Sequence, residues 1–192
     1  MGKTATEGDK EAGRGGGGGG GARRPVVLVT GCSEGGIGHA MARAFAAAGC
    51  AVVATARSRA SMRGLEGDPR YLLLELDVRS DESARAAVAD AVRELGRVDV
   101  LVNNAGVHLV APLAEVPMEE FQQVFDTNVY GAMRLIHAVI PQNDRKGTRY
   151  NSECWKYNSF GSWTMGWCIF SIKSRSSCIE RYAKTGAKKF RN

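Results

Sequence analysis

The chain has 192 residues, 26 Lys/Arg against 20 Asp/Glu, a formal net charge of +6 and a pI near 9.2. That length suits one domain with a real core, and the charge would ordinarily point to an anionic partner. Its distribution removes that implication. Residues 149–192 hold nine Lys/Arg and two Asp/Glu, a net of +7, which leaves seventeen and eighteen, a net of −1, for residues 1–148. No apolar stretch reaches transmembrane length and no apolar signal core opens the chain. Cys32 and Cys50 show neither pairing nor metal-ligand spacing, so a reducing, cytoplasmic compartment without a bound metal is the expectation.

Residues 1–24, with the unbroken Gly15–Gly21 run, read as a flexible, disordered leader. Gly2 with Thr6 fits the loose myristoylation pattern, a match that chance also supplies, and one acyl chain binds membranes only marginally. From residue 25, strands and helices alternate. Strands are expected at Val26–Val29, Ala51–Thr55, Tyr71–Leu76 and Val98–Val102. Ile37–Ala48 reads as a helix stopped by Gly49, and Asp81–Leu95 as a helix capped by Ser80 and stopped by Gly96. Met118–Val139 reads as one long helix between Pro117 and Pro141. Strands joined by helices of this length make right-handed crossovers in a parallel sheet. The expected fold is therefore α/β, a Rossmann-like doubly wound sheet over residues 25–148 that stops after the fourth strand and the long helix.

The segment Thr30-Gly31-Cys32-Ser33-Glu34-Gly35-Gly36-Ile37-Gly38 joins the first strand to the first helix. A glycine turn there lets the backbone approach a pyrophosphate, and the helix start offers unpaired N–H groups and a positive dipole end. Further on come Asp77-Val78 after the third strand, Asn103-Asn104-Ala105-Gly106 after the fourth, and Asn128 in Asp126-Thr127-Asn128-Val129-Tyr130-Gly131. Together these motifs resemble the short-chain dehydrogenase/reductase family over about residues 25–148. The glycine loop, one residue longer than the family's usual form, resembles the branch that reduces 1-acyldihydroxyacetone phosphate.

That resemblance implies a nicotinamide cofactor held by Gly31, Ser33, Gly36, Ile37 and Gly38 of the loop, by Asp77 and Val78 at the adenine, and by Asn103, Asn104, Ala105 and Gly106. It also implies a place for Asn128 in the catalytic relay, where a mid-helix Asn otherwise serves helix stability poorly. NAD enzymes carry an acidic residue about 20 residues past the loop. This chain has Thr55-Ala56-Arg57-Ser58-Arg59 there. Arg57 suits a 2′-phosphate, so NADP(H) is the expected cofactor, although Arg57 and Arg59 could also be solvated loop charges. The implied substrate is a lipid-like carbonyl. The implied setting is cytoplasmic, or peripheral to endoplasmic reticulum or lipid droplets.

The family's chemistry also needs a serine, a tyrosine and a lysine four residues after that tyrosine. Tyr150, Tyr157 and Tyr182 are followed four residues later by Cys154, Gly161 and Gly186. The relay is broken in this frame. Residues 149–192 also hold all three tryptophans and no Leu, Val or Pro, so no buried parallel strand is expected there. Shifting the reading frame by one base makes Trp155 into Lys156 encode Gly, Met165 into Gly166 encode Trp, and Trp167 into Cys168 encode Gly. The shifted frame permits a strand, a serine whose codon begins within residue 156, and a Tyr-x-x-x-Lys whose tyrosine begins within residue 169. Residues 149–192 thus read as an out-of-frame, poorly structured basic tail. Three consequences are expected: an inactive chain, a fourth strand left as an apolar edge, and loss of the family's homo-oligomer interface. An alternative is a non-catalytic NADP(H)-binding isoform. Nucleic-acid binding through the basic, aromatic tail is a lesser one, because a frame change explains the same charge.

Overall fold

The computed structural model describes residues 24–144 except 110 and 113, together with the backbone of 153–157 and 167–171. The leader and the remainder of the tail, including the expected disorder of 1–23, lie outside the described residues. Four strands, β1 (Val26–Thr30), β2 (Ala51–Ala56), β3 (Tyr71–Glu75) and β4 (Val100–Asn103), run parallel in the order β3-β2-β1-β4. Val26 stands opposite Ala51, Val27 opposite Val100, and Val52 opposite Tyr71.

Side chains alternate across β1, so each face collects its own core. Val27 and Val29 join Met41 and Phe45 of α1 (Ile37–Ala47) and Met62 and Leu65 of the short 3-10 segment Arg59–Leu65. On the other face, Val26 and Leu28 meet Ala84 and Val88 of α2 (Asp81–Leu95) and Leu135 and Val139 further along the chain. Both faces of a parallel sheet must be covered, which accounts for the continuous Val/Leu/Ala content of these strands. Helix α2 begins as the sequence predicts, with Ser80 Oγ accepting from the Ser83 N–H at 3.1 Å, and ends at Gly96 with φ 82.

The expected long helix is interrupted. It comprises α3 (Met118–Phe125), a π-turn at Asp126–Tyr130, and α4 (Gly131–Asp144). One added residue per turn leaves no trace in apolar spacing, so the sequence reads as continuous. The helix also passes through Pro141 to Asp144 instead of ending there. Proline costs it one N–H bond without forcing a stop.

The open edge expected at β4 does not exist. Strands β5 (Glu153–Tyr157) and β6 (Trp167–Ser171) extend the sheet to the order β3-β2-β1-β4-β6-β5, with β6 antiparallel to β4 and to β5. A buried parallel strand needs Val/Ile/Leu runs. An antiparallel strand at a sheet's margin needs only strand-compatible residues, which Trp, Ile, Phe and Tyr supply. The cysteines differ from expectation as well: Cys32 is a free buried thiol, while Cys50 is disulfide-bonded.

Candidate functional site

The carboxyl ends of β1 to β4 converge on a cleft of about 600 Å³. The break in strand order between β1 and β4 is where open α/β sheets hold ligands. At its centre β1 delivers Thr30, which is 1% exposed. The Thr30 hydroxyl accepts the N–H groups of Asn104 and Ala105, each at 2.9 Å, and donates to the Val102 carbonyl at 3.3 Å. Asn104 returns the tie: its Nδ2 donates to the carbonyls of Thr30 at 2.7 Å and Gly31 at 3.1 Å. The glycine turn and the Asn103–Gly106 turn are thereby one hydrogen-bonded unit. The sequence singled out Asn104 but passed over Thr30, whose value lies in an acceptor position that no motif spacing reveals.

Gly31 has φ 74, a left-handed conformation that favours glycine. At Gly38 the requirement is space. A Cβ there would press into the Gly31 carbonyl and the Asn104 amide. The loop is anchored on its outer side by the Glu34 N–H donating to Ser61 O at 2.8 Å and by Ser33 Oγ 3.2 Å from Ser61 Oγ. Within the turn, the Cys32 thiol donates to Val29 O at 3.3 Å. Burial pushes its pKa up to about 12, against a smaller opposing pull from a backbone hydrogen bond to Thr55. The neutral thiol is thus favoured in the folded state. Its stabilising contribution is complete below about 9, the ordinary value, and is lost as pH climbs from there toward 12. Cys32 should accordingly resist iodoacetamide at pH 8 in the native chain and react on unfolding, as read by peptide mapping. Rapid native alkylation would contradict the burial.

On the nucleotide side, Arg57 lines the cleft and forms no ion pair among the described residues. Arg59 is differently engaged: its N–H donates to Glu75 Oε1 at 2.9 Å, and its guanidinium lies 3.8 Å from Glu66. The Glu75 carboxylate at the end of β3 is therefore already serving the Arg59 backbone. Asp77 is held below the ordinary carboxylate range chiefly by hydrogen bonds from the Arg79 side chain, with burial opposing.

Asn128 sits in the π-turn, and its carboxamide pairs both ways with Val107. Its Oδ1 accepts the Val107 N–H and its Nδ2 donates to the Val107 carbonyl, each at 2.9 Å. Arg134 of α4 fixes that turn. It reaches Asp126 Oδ1 at 2.7 Å, the Asp126 and Val78 carbonyls at 3.4 Å, and Asp81 at 3.5 Å. Gly131 packs directly on Val78, so that a Cβ would lie 2.9 Å from its Cγ2.

Gly31, Ser33, Ile37, Arg57, Asp77, Val78, Asn103, Asn104, Ala105, Gly106 and Asn128 all line the one cleft, whereas Gly36 and Gly38 shape the loop without lining it. Sequence reasoning missed Thr30, Arg79, His108, Gln123 and Thr127, which line it too. The arrangement fits a dinucleotide on structural grounds: a cradle that a Cβ at Gly38 would fill, and a buried Asn103 Nδ2 with no protein partner on a cleft-lining residue. No group of three or more metal-ligating residues occurs among the described residues, and no helix among them is long and apolar enough to cross a membrane.

The family model for short chain dehydrogenase matches residues 25–149. A short-chain dehydrogenase of Talaromyces islandicus is 37% identical over 153 residues, 79% of this chain and 53% of that protein. The NADPH-dependent 1-acyldihydroxyacetone phosphate reductase of Schizosaccharomyces pombe is 41% identical over 128 residues, 65% of this chain and 43% of its own length. Among solved structures, a short-chain dehydrogenase from Streptomyces avermitilis superposes with TM-score 0.60 at 38% identity, covering 65% of this chain and 46% of the other. The 3-ketoacyl-(acyl-carrier-protein) reductase of Brucella melitensis, complexed with NADH, gives 0.59 at 35% identity, with 64% and 53% covered. The chain spans about half the length of the curated relatives it matches. By the matched family model and the Rossmann-like sheet, the chain belongs to the short-chain dehydrogenases, a family of nicotinamide-dependent oxidoreductases.

Proposed function

We propose that the chain is an NADP(H)-binding member of this family, of the acyl-dihydroxyacetone-phosphate-reductase-like lineage in lipid metabolism, and that it holds the dinucleotide without reducing a substrate. The observation that carries the cofactor preference is Arg57, which lines the cleft with no ion pair among the described residues, beside a Glu75 carboxylate already bonded to the Arg59 N–H. A forked guanidinium matches a 2′-phosphate, while an occupied carboxylate is a poor acceptor for a ribose hydroxyl. Gly31, Ser33 and Gly36–Gly38 would take the pyrophosphate, and Asp77 and Val78 the adenine. Asn103–Gly106 would line the ribose and nicotinamide side. A bound nicotinamide supplies hydride exchange with a carbonyl carbon.

What the chain lacks is the proton donor. None of its five tyrosines precedes a lysine by four residues: Tyr71 precedes Glu75, Tyr130 precedes Arg134, and the three in the tail precede Cys154, Gly161 and Gly186. Asn128 alone orders the Val107 backbone and transfers nothing. The antiparallel run of β6 on β4, with no crossover helix between them, supports reading residues 149–192 as something other than the family's catalytic segment. An out-of-frame origin accounts for both. It also implies loss of the family's oligomer interface and leaves a cytoplasmic or membrane-peripheral setting for the intact relative. Sequencing the transcript around the codons for Gly147–Asn151 tests it, and one intact frame with no alternative product would overturn it.

Calorimetric titration of the full chain should show NADP⁺ binding at least tenfold tighter than NAD⁺. Arg57→Met should weaken NADP⁺ by 10- to 100-fold, on the order of 1.5–3 kcal/mol for a charge-assisted hydrogen-bond pair, and spare NAD⁺. Equal or tighter NAD⁺ binding contradicts the preference. Steady NADPH oxidation with an apolar ketone contradicts the inactivity.

A further inference from the structure

Two guanidiniums line the nucleotide side of the cleft, and they are differently committed. Arg57 has no ion pair among the described residues, whereas Arg79 is spent on Asp77. Arg79 Nη2 lies 3.0 Å from Asp77 Oδ2 and Nε 3.3 Å from Oδ1, while the Arg79 backbone N–H donates to Oδ1 at 3.0 Å. Both carboxylate oxygens are thereby occupied by one residue. Asp77 follows β3, whose last residue Glu75 stands opposite Ala56, the neighbour of Arg57. The carboxylate and Arg57 therefore flank the same end of the cleft, close enough for Arg57 to help hold Asp77 ionised.

An uncovered carboxylate at this rim would act twice on cofactor choice. It would repel a phosphate dianion drawn in by Arg57, and it would offer free acceptor oxygens to a ribose hydroxyl, the interaction that favours NAD. We infer that Arg79 is a specificity-determining residue: by forking Asp77 it cancels that charge and fills those oxygens, so that the rim accepts a 2′-phosphorylated dinucleotide and discriminates against the unphosphorylated one. This inference rests on the NADP(H) reading above and assigns the discrimination to a pair of residues, with Arg57 attracting the phosphate and Arg79 removing the repulsion. The fork is exposed, with 43% of the Arg79 side chain accessible, and exposed pairs contribute little to folding. Its removal should therefore register in selectivity and leave the melting temperature nearly unchanged.

The test is titration of the full chain with NADP⁺ and with NAD⁺ separately, in the wild type, Arg79→Met, Arg79→Gln and Asp77→Asn/Arg79→Met. The single substitutions should weaken NADP⁺ about tenfold, leave NAD⁺ equal or tighter, and show less effect in high salt. Neutralising Asp77 in the double variant should return NADP⁺ binding most of the way to wild type. A purely structural role would weaken both dinucleotides alike, and that result overturns the inference. So does an unchanged ratio in both single variants, or a double variant as weak as Arg79→Met, which would mean that Arg79 touches the phosphate itself. A wild-type chain that prefers NAD⁺, or binds neither, sinks the cofactor reading and this inference with it. An unchanged ratio on a wild type that prefers NADP⁺ sinks this inference alone.

Discussion

Thr30→Val should destabilise the fold by about 3 kcal/mol, a large loss for an almost isosteric change. Valine keeps the volume, so no cavity opens at this 1%-exposed position. What disappears is one oxygen serving three backbone groups: the N–H of Asn104, the N–H of Ala105 and the carbonyl of Val102. Each buried donor left without a partner costs roughly 1–3 kcal/mol, and partial relaxation of the 104–106 turn brings the total to the lower half of that sum. Thr30→Ser retains the oxygen and loses one methyl, so it should cost about 1 kcal/mol. Urea denaturation of the three proteins measures both numbers. A Thr30→Val chain within 1 kcal/mol of wild type would mean that the hydroxyl is not the acceptor described.

Gly38→Ala should be at least as damaging, at about 3–4 kcal/mol, and should abolish dinucleotide binding. The atoms that the new methyl meets are the Gly31 carbonyl and the Asn104 amide, the two partners that tie the glycine turn to the β4 turn. Backbone cannot rotate aside as a flexible side chain can, so either the helix start retreats or the Gly31 turn opens. Gly49→Ala provides the contrast. Gly49 has φ 89 but nothing within 4 Å of an added Cβ, so that variant carries left-handed strain alone, about 1–2 kcal/mol, and should bind as wild type does. Thermal melts with and without NADP⁺ separate the two. Equal losses at positions 38 and 49 would show that conformation, and not space, governs the loop.

The elements most legible in the sequence were those whose pattern and punctuation agree. Four apolar runs, Ser80 before a charged amphipathic stretch, and glycines at 49 and 96 placed three helix ends and four strands within a residue or two. The 3-10 segment Arg59–Leu65 carries only Met62 and Leu65 as buried anchors, too few to show a period. The π-turn was hidden for a related reason, since one inserted residue disturbs hydrogen-bond register without disturbing composition. Asn128 was nonetheless visible as a residue badly suited to mid-helix, and the structure puts it where the regular ladder gives way. Arg79 escaped notice because attention fell on Asp77 and Val78, while the residue that controls the carboxylate comes two positions later. The margin of the sheet was misjudged by applying the composition of a buried parallel strand to a hairpin partner, which has a weaker requirement.

The antiparallel run of β6 has a spectroscopic consequence. Asn103, at the cleft end of β4, stands opposite Cys168, which in turn stands opposite Lys156 on β5. The chain thus leaves β5 at Tyr157 and enters β6 at Trp167 on the side of the sheet where the nucleotide cleft opens. Neighbouring strands lie about 4.8 Å apart, so the backbone positions of Trp155 and Trp167 are only one or two strand spacings from β4. Tryptophan emission overlaps reduced-nicotinamide absorption, and the chain has no tryptophan outside residues 149–192. Energy transfer from these native indoles to bound NADPH would report occupancy of the cleft without any attached label.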